Sequence, residues 1–110
     1  MLVGTLSPLG EAAFIFGAAH TLLPIVYPDA IVESPYPLGL HRAIVFGMGL
    51  GTMIALLSPS RLLNGALVVS YVGSAYLELS GKIRWNLPDD SGLRLALAVG
   101  DVLTAAALLG

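Results

Sequence analysis

The chain has no cysteine and few charged residues, and both shortages narrow what it can do. Without cysteine it can form no disulfide, no thiolate nucleophile and no thiolate metal site. Charged residues make up 11% of the chain, whereas soluble domains contain about 25%. Five basic and seven acidic residues give no basic surface for nucleic acid. This composition favours a membrane protein over the alternative, a buried helical subunit of a soluble complex.

Four apolar stretches account for most of the 110 residues. Each approaches the roughly 20 helical residues that cross a hydrocarbon core about 30 Å thick. The turn Ser58-Pro59-Ser60 is short enough to make the second and third stretches antiparallel neighbours. We therefore expect an all-α fold, a four-transmembrane-helix bundle with antiparallel neighbours, as a single domain over 1–110. The predicted spans are 8–27, 38–57, 62–79 and 93–109.

Four crossings would place both termini on one side of the membrane and the two longer connections, 27–37 and 80–91, on the other. Both connections contain proline and acidic residues, so they are expected to be loops, and Pro88-Asp89-Asp90-Ser91 is expected to cap the fourth span. By the positive-inside rule, we expect a multi-pass protein with cytoplasmic long loops and both termini on the opposite side. The basic residues behind this orientation are Arg42, Lys82, Arg84 and Arg94 on the long-loop side, against Arg61 on the terminal side.

Three polar residues on three spans are expected to lie at one depth. At 1.5 Å per helical residue, Asp101 and Tyr71 fall about 12 Å below the long-loop face and His20 about 10 Å below it. An ionised Asp facing lipid would cost about 2.5–3.5 kcal/mol or more, so Asp101 should point inward to a partner. Asp101 and His20 are therefore the candidate catalytic acid and base. His20 lies about 10 Å deeper than His41, so no metal site is expected.

Further polar residues form stripes that should face the bundle interior. Asn64, Tyr71 and Glu78 recur every seven residues on the third span, and Arg94 and Asp101 have the same spacing on the fourth. Ion pairs, interfacial anchoring and helix packing are the alternative roles of such residues. The candidate ligand-binding residues are Tyr71, Glu78, Arg94, Arg42 and His41 toward the long loops, with Asn64 and Glu11 as a smaller cluster near the termini.

The layout resembles the DoxX-like group of small four-helix membrane proteins. The likeness includes His41-Arg42 at the start of the second span, the run Gly47-Met48-Gly49-Leu50-Gly51, the turn Ser58-Pro59-Ser60, and a third span ending in Ser80-Gly81. A last span with one mid-membrane acid completes it, although the family often has Glu where this chain has Asp101. The resemblance implies a role beside membrane oxidoreductases and quinone chemistry, often as a subunit without activity of its own.

Three functions are compatible with these features. An interior polar pocket could bind a lipophilic molecule such as a quinone or an isoprenoid, or serve a membrane oxidoreductase. Asp101 and His20 could instead act as the acid–base pair of an integral-membrane isomerase or cyclase. The chain could also be an accessory subunit of a respiratory or photosynthetic membrane complex. No phosphate-binding Gly-rich loop, Gly-x-Ser-x-Gly elbow or His-Glu-x-x-His pattern decides among them.

Overall fold

The computed structural model describes residues 7–86 and 90–109, except for the side chains of residues 90, 91, 93 and 94. Within these residues the protein is helical, as predicted, and the helices follow the apolar stretches. Helix α4 begins earlier than the predicted position 93, and its predicted cap at Pro88-Asp89 lies outside the described residues. The helices are α1 (Pro8–Val26), α2 (Leu38–Leu57), α3 (Arg61–Leu79) and α4 (Asp90–Leu109).

Short-range side-chain bonds explain where two of the helices begin. The Ser7 hydroxyl accepts a hydrogen bond from the Gly10 amide at 3.0 Å, and Pro8 occupies the first helical position, where no amide donor is needed. The Ser60 hydroxyl accepts in the same way from the Leu63 amide, at 3.5 Å, at the start of α3. The turn between α2 and α3 is thus fixed by a capping residue that the sequence places directly before the helix.

The surface of the bundle is apolar and several of its buried side chains are polar. Helices α1, α2 and α3 are each long and apolar enough to cross a membrane, while α4 has a shorter apolar segment, Leu95–Leu109. Large apolar side chains such as Ile15 and Leu62 are 69% and 86% exposed. The buried polar residues are His41, Thr52, Glu78, Asp101 and Thr104. This distribution suits a helical membrane protein, because lipid solvates the apolar exterior and polar groups must find partners inside.

The helices pack chiefly in two pairs, α1 with α2 and α3 with α4, and α1 also contacts α4. Helices α1 and α2 approach each other closely along their backbones. A Cβ atom on Gly49 would overlap the Gly17 carbonyl oxygen and lie 2.5 Å from the Thr21 amide nitrogen. Gly49 therefore allows two helix backbones to touch, which is the usual role of small residues in membrane helices. Helices α2 and α3 meet in the buried core, where Met48 and Ala55 pack with Leu67 and Tyr71.

A short β-ribbon joins the two long connections, which the sequence predicts as loops. Strand β1 (Ile31–Glu33) pairs antiparallel with β2 (Arg84–Trp85), and the Arg84 guanidinium lies 3.2 Å from the Glu33 carboxylate. The turn before β2 contains Gly81 at φ 78°, a left-handed conformation that glycine adopts without strain. The ribbon holds the two connections together at one end of the helices.

Candidate functional site

Two buried carboxyl groups meet between α3 and α4. Glu78, near the end of α3, is 3% exposed, and Asp101, inside α4, is 2% exposed. The two carboxyl groups are within hydrogen-bonding reach of each other. Helical side chains lean toward the N-terminus of their own helix, so Glu78 reaches back from the end of α3 toward the middle of the bundle. The sequence places these residues at different depths and does not predict their contact.

Trp85 covers the outer end of this carboxyl pair. Its indole N–H donates to Glu78 Oε2 at 3.0 Å, which links the ribbon to the end of α3. Among the described residues, Glu78 Oε1 and Asp101 Oδ2 have no hydrogen-bond partner. Two ionised carboxylates in contact repel each other, so the pair requires a shared proton or a positively charged neighbour. The arrangement is suited to holding or exchanging one proton.

The predicted layer of His20, Tyr71 and Asp101 is formed in part. The His20 and Tyr71 rings lie edge to face with their centroids 5.7 Å apart, but His20 Nδ1 bonds to the Phe16 carbonyl oxygen of its own helix at 2.9 Å. The fully buried Tyr71 hydroxyl bonds to the Thr52 hydroxyl at 2.6 Å. No hydrogen bond between His20 and Asp101 occurs in the part of the chain that the structure describes. The carboxyl group of Asp101 lies beside Glu78, which the sequence analysis places at the mouth of the pocket.

No described hydrogen bond joins His41 or Arg42, both predicted at the pocket mouth, to the carboxyl pair. His41 is buried, with its ring edge to face against Tyr36 at 6.0 Å, and its Nδ1 has no partner among the described atoms. Arg42 Nε donates to the Leu38 carbonyl of its own helix at 3.3 Å. The side chain of Arg94 lies outside the described residues. Of the predicted funnel, the described side chains bring together Glu78 and Asp101, covered by Trp85.

The smaller cluster predicted near the termini is a contact between helices. The Asn64 side-chain amide donates to the Leu108 carbonyl oxygen at 3.0 Å and so ties the start of α3 to the end of α4. Glu11 lies in the first turn of α1, and no described hydrogen bond joins it to Asn64. Within residues 7–86 and 90–109, no group of three or more His, Asp or Glu side chains is arranged to hold a metal ion.

A cavity of about 550 Å³ lies beside Trp85, at the end of the bundle that carries the ribbon. The last turn of α1, the residues that follow it, β2 and α4 supply its walls. Trp85 connects this cavity to the carboxyl pair, because its ring lines the cavity while its N–H donates a hydrogen bond to Glu78. The sequence does not predict this cavity, although Tyr27 and Trp85 near span ends are an indication of an interfacial site. The described lining residues are Leu23, Val26, Tyr27, Pro28, Asp29, Ala30, Trp85, Asn86 and Leu97.

Comparisons with protein-family models, curated proteins and solved structures find no match to this chain. The DoxX-like resemblance and the roles that it implies therefore stay predictions from the sequence, and the function is argued from the cavity and the carboxyl pair.

Proposed function

We propose that the protein binds a lipophilic molecule, such as a quinone or an isoprenoid, in the cavity beside Trp85. The observation that carries this proposal is a cavity of about 550 Å³ with mainly apolar walls. This volume falls within the roughly 300–1,000 Å³ of typical small-molecule sites, which combine apolar walls with a few polar groups. Leu23 and Leu97 supply the apolar part, and Asp29 and Asn86 supply polar groups at one side.

The proposal includes a four-span, antiparallel topology in which α4 also crosses the membrane. Helix α4 has 20 residues and a length of about 30 Å, which equals the hydrocarbon thickness. Contact of its buried acid with Glu78 keeps that acid away from lipid. The ribbon brings both long connections to one end, as four crossings require. The excess of basic residues in these connections supports their cytoplasmic placement, with the termini opposite.

Trp85 is the only tryptophan of the chain, so its fluorescence reports directly on the cavity. The purified protein in maltoside micelles would be titrated with a short-chain quinone and with an isoprenoid alcohol. We expect saturable quenching by the bound molecule. Leu97→Phe should fill the cavity and remove the saturable part, whereas Leu103→Phe, on the exposed side of the same helix, should keep it. Equal, non-saturable quenching of all three proteins would contradict ligand binding.

The contact between Glu78 and Asp101 favours a second candidate, an acid–base isomerase or cyclase. In this candidate Asp101 works with Glu78 in place of His20, because the two carboxyl groups lie within hydrogen-bonding reach. Incubation with isoprenoid substrates, followed by mass spectrometry of the products, tests it. Turnover that Asp101→Asn abolishes while saturable quenching of Trp85 persists would support the enzyme. Binding without turnover in the wild-type protein would support the binding role alone. A partnership with a membrane oxidoreductase, which the DoxX-like resemblance implies, would also support the binding role.

A further inference from the structure

The described polar and aromatic groups in the cavity wall are of the kinds that attract cations. Asp29 contributes a carboxylate and Asn86 an amide, while Tyr27 and Trp85 contribute aromatic rings. Among the described lining residues there is no Lys, Arg or His. The indole N–H of Trp85 is already bonded to Glu78, so this residue offers its ring to a ligand. Carboxylates and the faces of aromatic rings both attract cations, and neither attracts an anionic head group.

Three of the basic residues near the ribbon have described contacts of their own. Arg84 pairs with Glu33 at 3.2 Å, and the Lys82 ammonium lies 5.9 Å from the centre of the Tyr76 ring. Arg42 lines a separate, much smaller cavity of about 10 Å³ that shares the Tyr27 and Trp85 walls. Its Nε donates to the backbone of its own helix. No described ion pair joins Asp29 to a basic side chain, so its carboxylate suits a ligand that brings its own positive charge.

The cavity also has the right depth for the head group of an amphiphile. Tyr27 follows the last residue of α1 and is 65% exposed, a position typical of the aromatic residues at a membrane interface. Leu23 lies one helical turn deeper on α1, and Leu97 supplies an apolar wall from α4. A molecule bound here has its polar end beside Asp29 and its chain among apolar side chains.

We propose that this cavity selects amphiphiles with an organic ammonium head group. The ammonium lies against Asp29 and the rings of Tyr27 and Trp85, and the alkyl chain runs along Leu23 and Leu97. This inference rests on the proposed binding of a lipophilic molecule in the same cavity, and it names an ammonium amphiphile as that molecule in place of an uncharged quinone or isoprenoid. A lipid head group and a free lipophilic amine share this chemistry.

The test compares three probes that have the same spin-labelled alkyl chain and differ in head group: trimethylammonium, hydroxyl and sulfate. Each is titrated into the full chain in maltoside micelles, and quenching of Trp85 is followed. The ammonium probe should reach half-maximal quenching at about one tenth of the mole fraction that the hydroxyl probe needs, with the sulfate probe weakest. Asp29→Asn should remove this preference. Glu33→Gln, which neutralises a carboxylate on the same ribbon outside the cavity, should retain it.

The outcomes separate the two proposals. Saturable quenching that is equal for the three head groups would overturn the ammonium inference and leave a lipophilic cavity. A preference that survives Asp29→Asn would also overturn it. The absence of saturable quenching by every probe would contradict the proposed function itself. Where the preference is found, displacement of the probe by lysophosphatidylcholine assigns the site to a lipid head group. Displacement by decyltrimethylammonium but not by lysophosphatidylcholine assigns it to a free alkylammonium molecule.

Discussion

Replacing Gly49 by Ala tests the packing that positions the whole bundle. The added Cβ would lie 2.5 Å from the amide nitrogen and hydroxyl of Thr21 and closer still to the Gly17 carbonyl oxygen. Ordinary contacts begin at 3.4 Å, and two of these atoms belong to a backbone that cannot rotate away. The helices would have to separate by about 1 Å, at a typical overpacking cost of about 1–3 kcal/mol. Ala regains up to about 1 kcal/mol in helix propensity, which leaves a net loss of about 1 kcal/mol for a mid-range overpacking cost.

Gly47→Ala is the matched control, because it makes the same change two residues earlier on α2. A Cβ on Gly47 meets nothing within 4 Å, so only the propensity gain applies and stability should stay equal or rise. The measurement is reversible unfolding in mixed micelles of maltoside and sodium dodecyl sulfate, followed by circular dichroism. If Gly49→Ala were as stable as Gly47→Ala, the close approach of α1 and α2 would be refuted.

Three further predictions concern the carboxyl pair and its surroundings. Trp85→Phe removes the indole donor to Glu78 and should lower the free energy of unfolding in the same assay by about 1.5–3 kcal/mol; no change would mean that the bond does not hold the ribbon. Tyr71→Phe should cost about 1 kcal/mol, because Thr52 keeps its bond to a backbone carbonyl; a loss above about 3 kcal/mol would indicate a larger network. Arg42→Gln should strengthen quenching by the trimethylammonium probe, since it removes a cation behind the shared wall. Weaker quenching would contradict the assignment of the cavity as a site for a cationic head group.

The helices follow from the sequence because hydropathy and capping act locally. Ser7 and Pro8 fix the start of α1, and the start of α3 is set by Ser60 directly after Pro59. The ribbon could not be predicted in this way. Its strands are two and three residues long and lie far apart in the sequence, so their pairing depends on the bundle that brings them together.

The carboxyl pair was missed for a different reason. Counting 1.5 Å per residue gives the depth of a Cα atom, whereas the side chain of Glu78 extends from there toward the N-terminus of α3. The same counting predicts that His20 lies near Tyr71, and the centroids of the two rings are 5.7 Å apart. It says nothing about hydrogen bonds that a side chain makes within its own helix, and His20 makes such a bond to Phe16. The cavity, assembled from three separate segments of the described chain, has no local pattern in the sequence.

The ribbon and the turn Ser58-Pro59-Ser60 lie at opposite ends of the boundary between α2 and α3. Between these ends the Tyr71 hydroxyl of α3 bonds to the Thr52 hydroxyl of α2, and Met48 and Ala55 pack with Leu67 and Tyr71 in the buried core. The boundary is therefore held at three points: by the turn at one end, by the ribbon at the other, and by a buried hydrogen bond between them. A covalent connection, β-sheet bonds and a buried hydrogen bond together keep α2 and α3 in register.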